Sequence, residues 1–273
     1  MKTKNIFWVT LISLTLVFSL LPTKSASQNM VVLGEQVTNF RVWGEWVNRA
    51  RNIRRAARSF NNLVLQPGQT FSYNRVIGVR SLERGYLMAH VILNGELVDG
   101  LGGGICQVSG TIHAAALKAG LEVIEHHPHS RRSTYIEPGW DATVDYGRLD
   151  LRMRNPYPFP LQFTVGEDGS GVLRARILGR EIPYDVEVET NITSSWRVRT
   201  VRIENPNLPI GTRNILDRGS EGITMTRTRT FSSRNSGLYP ERPQESIEIT
   251  YNPAARVIEL GTAPVVEQEG SSI

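Results

Sequence analysis

Cysteine is almost absent from the chain, since Cys106 is the single one among 273 residues. A lone cysteine has no intramolecular partner, which excludes a disulfide framework of the kind that stabilises small secreted domains. The sequence also lacks any Cys-x-x-Cys or His-x-x-x-His pair, so the spacing typical of a structural zinc site is missing. We therefore expect the fold to depend on a hydrophobic core, and we expect no metal and no other cofactor.

Long apolar runs are absent after residue 30, so no later segment is expected to cross a membrane. At the start of the chain, two lysines precede an apolar run from residue 6 to residue 21, which Pro22 ends. This layout is typical of a secretory signal, predicted over residues 1–27 with cleavage near residues 25–27. The alternative is an uncleaved N-terminal anchor, which would be the only contact with a membrane. We expect an extracytoplasmic protein that is secreted, periplasmic or associated with the cell envelope.

The chain is basic, but its charge is not concentrated. Its 31 lysines and arginines exceed its 26 aspartates and glutamates, and the isoelectric point is about 9.5. The basic residues are scattered, and no motif combines them with aromatic residues as nucleic-acid-binding modules do. Nucleic acid is therefore not expected as a partner, whereas anionic polymers of the cell envelope suit a basic exported protein.

Hydrophobic periodicity predicts a mixed α+β central domain. Apolar residues recur at helical spacing from Arg41 to Val64, with most of the arginines on other faces, which predicts an amphipathic helix. The pair Asn94-Gly95 between two β-prone runs predicts a hairpin. A buried helix is predicted to begin at Cys106 and to end before Gly120, because apolar residues recur there every three or four positions. Strands are expected within residues 149–155, 159–165 and 171–178.

Helical periodicity disappears beyond residue 181. The remaining sequence alternates β-prone runs of Val, Ile, Thr and Arg with turns rich in Gly, Pro and Asn. It therefore predicts a smaller all-β C-terminal module, with a domain boundary near residues 179–183.

The lone cysteine has a setting that favours reactivity. Gly102, Gly103 and Gly104 precede Cys106 at the predicted start of its helix. An open glycine loop and the positive end of a helix dipole lower the pKa of a thiol and stabilise an oxyanion, which are properties of a nucleophilic site. The alternative is a small, buried, structural cysteine beside a tight turn.

All five histidines of the chain lie between residues 90 and 129, on both sides of the cysteine. His113 shares a helical stripe with Cys106, but it lies about 10 Å further along the axis and is too distant to deprotonate the thiol. On an extended segment His127 and His129 would point to the same side, so one of them is the candidate general base. Asp141 is the candidate carboxylate that orients this base, with an Asx turn or cap as the alternative.

A metal site that combines Cys106 with His127 and His129 is also conceivable from the ligand types. We rank it below catalysis, because no recurrent metal-ligand spacing supports it.

Five sequence blocks follow one another in the segment from Asn52 to Phe163. They are PGQTFSYN at residues 67–74, ERGY at 83–86, GGGICQVS at 102–109, HPHS at 127–130, and DAT at 141–143 followed by Tyr146-Gly147 and Asp150. With these blocks in this order, the segment resembles the VanW family. The resemblance implies action on peptidoglycan, because some members are associated with L,D-transpeptidase activity through a cysteine. Residues expected to bind substrate are Gly102, Gly103, Gly104, Gln107, Ser109, Ser130 and Tyr146.

If this activity transfers, Cys106 attacks the carbonyl of a donor stem peptide and an acceptor amine resolves the thioester. One alternative is a hydrolase, in which water resolves the thioester. The other is a non-catalytic protein that binds peptidoglycan or glycan, which predicts no imidazole within hydrogen-bond reach of the sulfur. The expected partners in all three cases are stem peptides or glycan of the wall.

The C-terminal region from Val186 to Thr262 contains PNLPIGT at residues 206–212 and a closing segment VIELGT at residues 257–262. With these segments it is similar to the G-five extracellular module. It implies an extended β-structure of the kind linked to envelope glycan binding or adhesion, with a plain β spacer as the alternative. The expected domain limits are 38–180 for the VanW-like domain, 184–262 for the β module and 263–273 for a flexible tail.

Overall fold

The computed structural model describes residues 30–93, 96–234 and 241–264. The predicted signal at residues 1–27, the hairpin turn at residues 94–95 and all but the first two residues of the predicted tail lie outside this range. Among the described residues, no helix combines the length and apolar character needed to span a membrane.

The described residues include two long helices, one short helix and a series of strands. The helices are α1 (Val47–Phe60), α2 (Tyr73–Ile77) and α3 (Ile105–Lys118), and a 3₁₀ turn at Gly44–Trp46 precedes α1. The strands, in chain order, are β1 (Val31–Asn39), β2 (Val64–Leu65), β3 (Thr70–Ser72), β4 (Met88–Leu93), β5 (Glu96–Leu101), β6 (Glu122–Glu125), β7 (Arg152–Arg154), β8 (Leu161–Glu167), β9 (Val172–Gly179), β10 (Tyr184–Trp196), β11 (Thr200–Pro209), β12 (Arg213–Asp217), β13 (Gly222–Ser233), β14 (Glu245–Tyr251) and β15 (Arg256–Ala263).

The first part of the chain is mixed α+β, as the periodicity predicts. An antiparallel sheet in the order β1-β9-β8-β2 packs against α3 and α1, and the hairpin β4-β5 and the small sheet β3-β7-β6 lie beside them. Residues in β8 and β9 alternate between buried and partly exposed, because one face of the sheet covers the core. The main hydrophobic cluster therefore lies between this sheet and the two long helices.

Helix α1 is shorter than the predicted segment from Arg41 to Val64. Its C-cap Asn61 is extended and Asn62 has a positive φ of 64°, so the chain leaves the helix there and Val64 enters β2. The predicted apolar face is buried from Ala50 to Phe60, but Trp43 is 65% exposed ahead of the helix. The prediction was right in type and wrong at both ends.

Helix α3 begins at Ile105, so Cys106 lies in its first turn as the sequence predicts. The N-cap Gly104 has a φ of 101°, which side chains other than glycine rarely adopt. A Cβ on Gly103 would lie 2.5 Å from the carbonyl oxygen of His90, so the glycine allows the loop to approach β4. The glycines therefore bring the start of a buried helix close to the hairpin.

The described residues of the C-terminal part are all-β and form two sheets, β10-β13-β14 and β11-β15-β12. It is not detached from the first part. The guanidinium of Arg229 on β13 donates to the carbonyl oxygens of Leu117 and Leu121 at the end of α3, at 3.2 and 2.7 Å. Arg131, in the loop after β6, forms a two-point ion pair with Asp217 on β12. These polar contacts hold the β-structure against the α+β domain.

Candidate active site

Cys106 is partly buried at the N-terminal end of α3. Two tyrosine hydroxyls fix the backbone of this turn: Tyr135 donates to the carbonyl oxygen of Cys106 at 3.0 Å and Tyr73 donates to that of Ile105 at 3.1 Å. The carbonyl oxygen of Val144 lies 3.8 Å from the sulfur. The thiol is thus held in place at the positive end of a helix dipole.

His129 joins the cysteine to a carboxylate. Its ring hydrogen-bonds to the sulfur of Cys106, and its Nδ1 lies 2.6 Å from Oδ2 of Asp141. The backbone N–H of His129 donates to the same oxygen at 2.8 Å. Because Nδ1 faces the carboxylate, Nε2 is the nitrogen left for the sulfur. The three side chains therefore form a Cys-His-Asp arrangement, which is the geometry of a base-activated nucleophile.

The electrostatics of this arrangement favour charge separation. Burial alone would raise the pKa of the Cys106 thiol, but the hydrogen bond and positive charge of His129 lower it below its usual value. Burial opposes the positive charge of His129, yet its hydrogen bonds to Asp141 and Cys106 raise the pKa of the imidazole to about 10. Burial alone would raise the pKa of Asp141, but the contacts of its carboxylate with His129 lower this pKa below its usual value. These shifts therefore favour a thiolate–imidazolium pair over a neutral thiol and imidazole.

Two arginines contact the glycine loop beside the sulfur. Arg80 packs against Gly102, and its positive charge lowers the pKa of the thiol further. Its Nη1 and Nη2 are buried without a hydrogen-bond partner in the described part of the chain, although its guanidinium lies 5.8 Å from the ring centroid of Tyr146. Arg49 packs against Gly104. The surroundings of Cys106 are thus electropositive, which suits an anionic group.

An open cavity of about 460 Å³ is lined in part by Tyr146, whose ring faces the guanidinium of Arg80. Its lining includes Asn74, whose side-chain oxygen Oδ1 is buried without a hydrogen-bond partner in the described residues. The exposed Ser130 follows His129 directly. Tyr146 and Ser130, both predicted to bind substrate, are therefore accessible near the site.

Several other predicted site residues lie elsewhere. His127 and His129 do not face a common site, because the Nε2 of His127 lies 3.1 Å from Glu125 on β6. Gln107 and Ser109 were expected to bind substrate, but both are fully buried. Gln107 donates to Thr38 and to the backbone of Asn39, and Ser109 donates to the carbonyl oxygens of Ala142 and Cys106. These two side chains hold α3 in place and are not available to a ligand.

The remaining histidines have structural surroundings. The rings of His113 and His126 stack with centroids 4.2 Å apart, and each contacts a backbone carbonyl oxygen of the loop at Trp140 and Asp141, at 2.8 Å. Burial lowers the pKa of His113 well below its usual value and that of His126 to about 4, so both rings are neutral. His90 pairs with Asp99 on the hairpin. The clustering of histidines in sequence thus corresponds to different local roles.

Sequence reasoning missed a residue that reaches the site from far along the chain. The hydroxyl of Tyr251, on β14, donates to Oδ1 of Asp141, and it accepts from the N–H of Gly139 at 2.7 Å. Arg227 on β13 donates to the carbonyl oxygen of Gly139 at 2.5 Å. Tyr251 is 110 positions from Asp141, and no local pattern could have joined them.

No group of His, Cys, Asp or Glu side chains within residues 30–93, 96–234 and 241–264 is arranged to hold a metal ion.

Comparison with known proteins shows what the first part of the chain is similar to. Residues 48–177 match a family model described as VanW like protein. The "Uncharacterized protein YoaR" of Bacillus subtilis is 40% identical over 52% of this chain and 46% of its own length. The "Vancomycin B-type resistance protein VanW" of Enterococcus faecalis is 30% identical over 46% of this chain and 48% of its own. The chain thus spans about half the length of these two relatives.

Two further similarities are more limited. The "Accumulation-associated protein" of Staphylococcus epidermidis is 28% identical over 47% of this chain and 9% of its own length. A solved "IgA1 Protease G5 domain structure" is 23% identical, covers 31% of this chain and 99% of that chain, and has a TM-score of 0.19.

Proposed function

Since the chain carries a VanW-like domain over residues 48–177, we propose that it is a cysteine acyltransferase of the cell envelope that cross-links peptidoglycan stem peptides. The observation that carries the proposal is the hydrogen bond from His129 to Cys106, with His129 oriented by Asp141. A non-catalytic binding protein would need no imidazole at the sulfur. The peptidoglycan substrate rests on the family resemblance, in which some members are associated with L,D-transpeptidase activity.

The reaction proceeds in two acyl transfers. The thiolate of Cys106 attacks a carbonyl carbon of the donor stem peptide, and the C–N bond breaks as the leaving amine takes a proton from the imidazolium of His129. This step leaves a thioester on Cys106. An acceptor amine from a second stem then attacks the thioester, gives its proton to His129 and forms the new amide bond. The thiolate and the imidazolium are restored.

Other groups of the site stabilise the charges of this reaction. The carboxylate of Asp141 stabilises the imidazolium and fixes the orientation of its ring. The tetrahedral intermediate carries a negative oxygen, and the glycine loop with the N-terminal end of α3 provides positive electrostatic potential for it. Gly102, Gly103 and Gly104 thus act through backbone geometry.

The charge near the sulfur favours an anionic acyl donor. Arg80 and Arg49 contact the glycine loop, and the guanidinium of Arg80 has nitrogens without a hydrogen-bond partner among the described residues. A carboxylate is the group that matches a guanidinium best, and a stem peptide ends in one. We assign the open cavity beside Tyr146 to the rest of the peptide.

We also propose an extracytoplasmic location, because the predicted secretory signal precedes the VanW-like domain and peptidoglycan lies outside the cytoplasm. A hydrolase would use the same thioester and differs only in the acceptor, which is water in place of an amine. The two reactions differ in water exclusion and acceptor binding, so their products must distinguish them.

Intact-mass spectrometry of the mature protein incubated with disaccharide-tetrapeptide tests the proposal, with Cys106→Ala as the control. We expect a covalent adduct on the wild type that Cys106→Ala lacks. Addition of an acceptor stem peptide should then yield a cross-linked dimer; release of a shortened stem with no dimer would favour the hydrolase. The proposal fails if no adduct forms and the thiol of the folded protein also resists alkylation.

A further inference from the structure

Tyr251 is the last residue of β14, in the C-terminal β-structure, and its side chain is fully buried. Its hydroxyl lies between two groups of the loop that carries the carboxylate of the candidate site. It donates to Oδ1 of Asp141 and accepts from the N–H of Gly139. One hydroxyl therefore holds both the side chain and the backbone of this loop.

The two oxygens of Asp141 have separate partners. Oδ2 accepts from the backbone and the ring of His129, whereas Oδ1 accepts from Tyr251. Because the two oxygens bind different partners, the carboxylate cannot rotate about its Cβ–Cγ bond without losing a hydrogen bond. Without the hydroxyl, Oδ1 would be a buried, charged acceptor that has lost its side-chain donor, and the plane of the carboxylate would lose its second anchor.

We propose that Tyr251 is a positioning residue of the active site, which orients Asp141 and through it the imidazole of His129. The inference rests on the proposed function of the Cys106–His129–Asp141 arrangement. It makes the C-terminal β-structure a part of the active site, since that structure supplies the hydroxyl. The alternative of a plain spacer would require no such contact.

Other charged and titratable groups face the same arrangement and remain in place when the hydroxyl is removed. Asp141 is close enough to interact electrostatically with Arg227 on β13, with His126 and with Tyr135. Arg80, Arg49 and Tyr135 face Cys106 in the same way. A change in thiol ionisation in a variant of Tyr251 therefore reports on the hydroxyl and not on these groups.

The test compares Tyr251→Phe with Tyr157→Phe. Both changes remove one buried hydroxyl and keep the ring, but the hydroxyl of Tyr157 donates to the carbonyl oxygen of Ala119, away from the site. Alkylation of the sole cysteine by iodoacetamide, followed against pH, gives the ionisation of Cys106. Acylation by disaccharide-tetrapeptide gives kcat and KM.

For Tyr251→Phe we expect thiolate formation to shift to higher pH, because Asp141 supports the imidazolium less well without its donor. We expect kcat to fall about 10- to 100-fold, which corresponds to the loss of one hydrogen bond to a charged group, with KM unchanged. Tyr157→Phe should lose thermal stability but keep the wild-type pH profile. In an Asp141→Asn background, Tyr251→Phe should have no further effect on the profile.

A wild-type pH profile and kcat in folded Tyr251→Phe would overturn the inference and leave the proposed function standing. If Tyr251→Phe shifts the alkylation profile but no stem peptide acylates the wild type, the proposed function is wrong and the inference about Tyr251 stands. If Tyr251→Phe unfolds at the assay temperature, its alkylation profile is measured at a lower temperature, and a wild-type profile there would contradict the inference. An equal shift in the Asp141→Asn background would show that Tyr251 does not act through Asp141, which also contradicts the inference.

Discussion

The Nδ1 of His129 lies 2.6 Å from Oδ2 of Asp141, and the two side chains are 6% and 1% exposed. A buried imidazole would ordinarily be neutral, because burial penalises its charged form. In this site the carboxylate and the sulfur of Cys106 reverse that effect and raise the pKa of His129 to about 10. Perturbed pKa values of this kind cluster at functional sites.

Replacement of His129 should remove the activation of the thiol. In His129→Gln the sulfur loses its hydrogen bond and the adjacent positive charge, so the pKa of Cys106 should rise. We expect acylation at neutral pH to fall by roughly 10²- to 10⁴-fold, the usual contribution of a positioned acid–base group. The matched control is His127→Gln. The side chain of His127 pairs with Glu125, so this variant should keep wild-type rates. Equal losses in the two variants would contradict the assignment of His129.

The pH dependence follows from the direction of the shifts. The pKa of Cys106 is lowered and that of His129 is raised to about 10, so the thiolate–imidazolium pair exists between these two values. Acylation should rise as pH passes the lowered pKa of the thiol. It should fall above about pH 10, where His129 loses the proton that the leaving amine needs. Alkylation needs only the thiolate and should not fall at the basic limit, and a fall there in both reactions would contradict this assignment.

The parts of the site that follow from local pattern were predictable. Three glycines followed by a regular apolar periodicity predict a buried helix at Cys106, and the structure has α3 at that place. The β4-β5 pairing follows from two β-prone runs, with Val91 opposite Val98. Strand β1 was not predicted, because its residues alternate irregularly around a bulge near Gly34 and its partner β9 is far along the chain.

The choice between His127 and His129 could not be made from the sequence. The expectation that both point to one side assumed an extended segment, but β6 ends at Glu125 and the following loop is bent by hydrogen bonds to Asp141. The contact of Tyr251 is a long-range one, and such contacts leave no periodic signal in either segment. The arrangement of a site built from distant segments therefore depended on the tertiary structure.

Arg80 provides a test of the electropositive surroundings. In Arg80→Gln the pKa of Cys106 should rise, because a positive charge near the sulfur is lost, and acylation by an anionic donor should slow. Thermal stability should not fall much, because the buried Nη1 and Nη2 have no hydrogen-bond partner in the described residues and their removal ends a desolvation cost. The control Arg75→Gln changes an exposed arginine of the nearby cavity.

Donor peptides with a C-terminal carboxylate or a C-terminal amide separate the two effects of Arg80. If Arg80 contacts the carboxylate, the amide should be the poorer donor for the wild type, and Arg80→Gln should reduce that preference. An unchanged preference would limit Arg80 to its effect on the thiol. An unchanged alkylation profile in Arg80→Gln would contradict the electrostatic role.

The contact between the C-terminal β-structure and α3 should contribute to stability separately from catalysis. Arg229 is buried, pairs with Glu245 and donates to the carbonyl oxygens of Leu117, in the last turn of α3, and of Leu121, just after this helix. Arg229→Met removes the buried guanidinium that serves Leu121 and Glu245, so we expect a loss of about 3 kcal/mol in the free energy of unfolding. The exposed Arg234 forms ion pairs with acidic residues on the surface, and Arg234→Met should cost less than about 1 kcal/mol.

Chemical denaturation measures both losses, and alkylation of Cys106 in the folded variants should keep its wild-type pH profile. Equal stability of the two variants would mean that α3 does not depend on the β-structure, whereas a shifted profile in folded Arg229→Met would mean that this contact also positions the site.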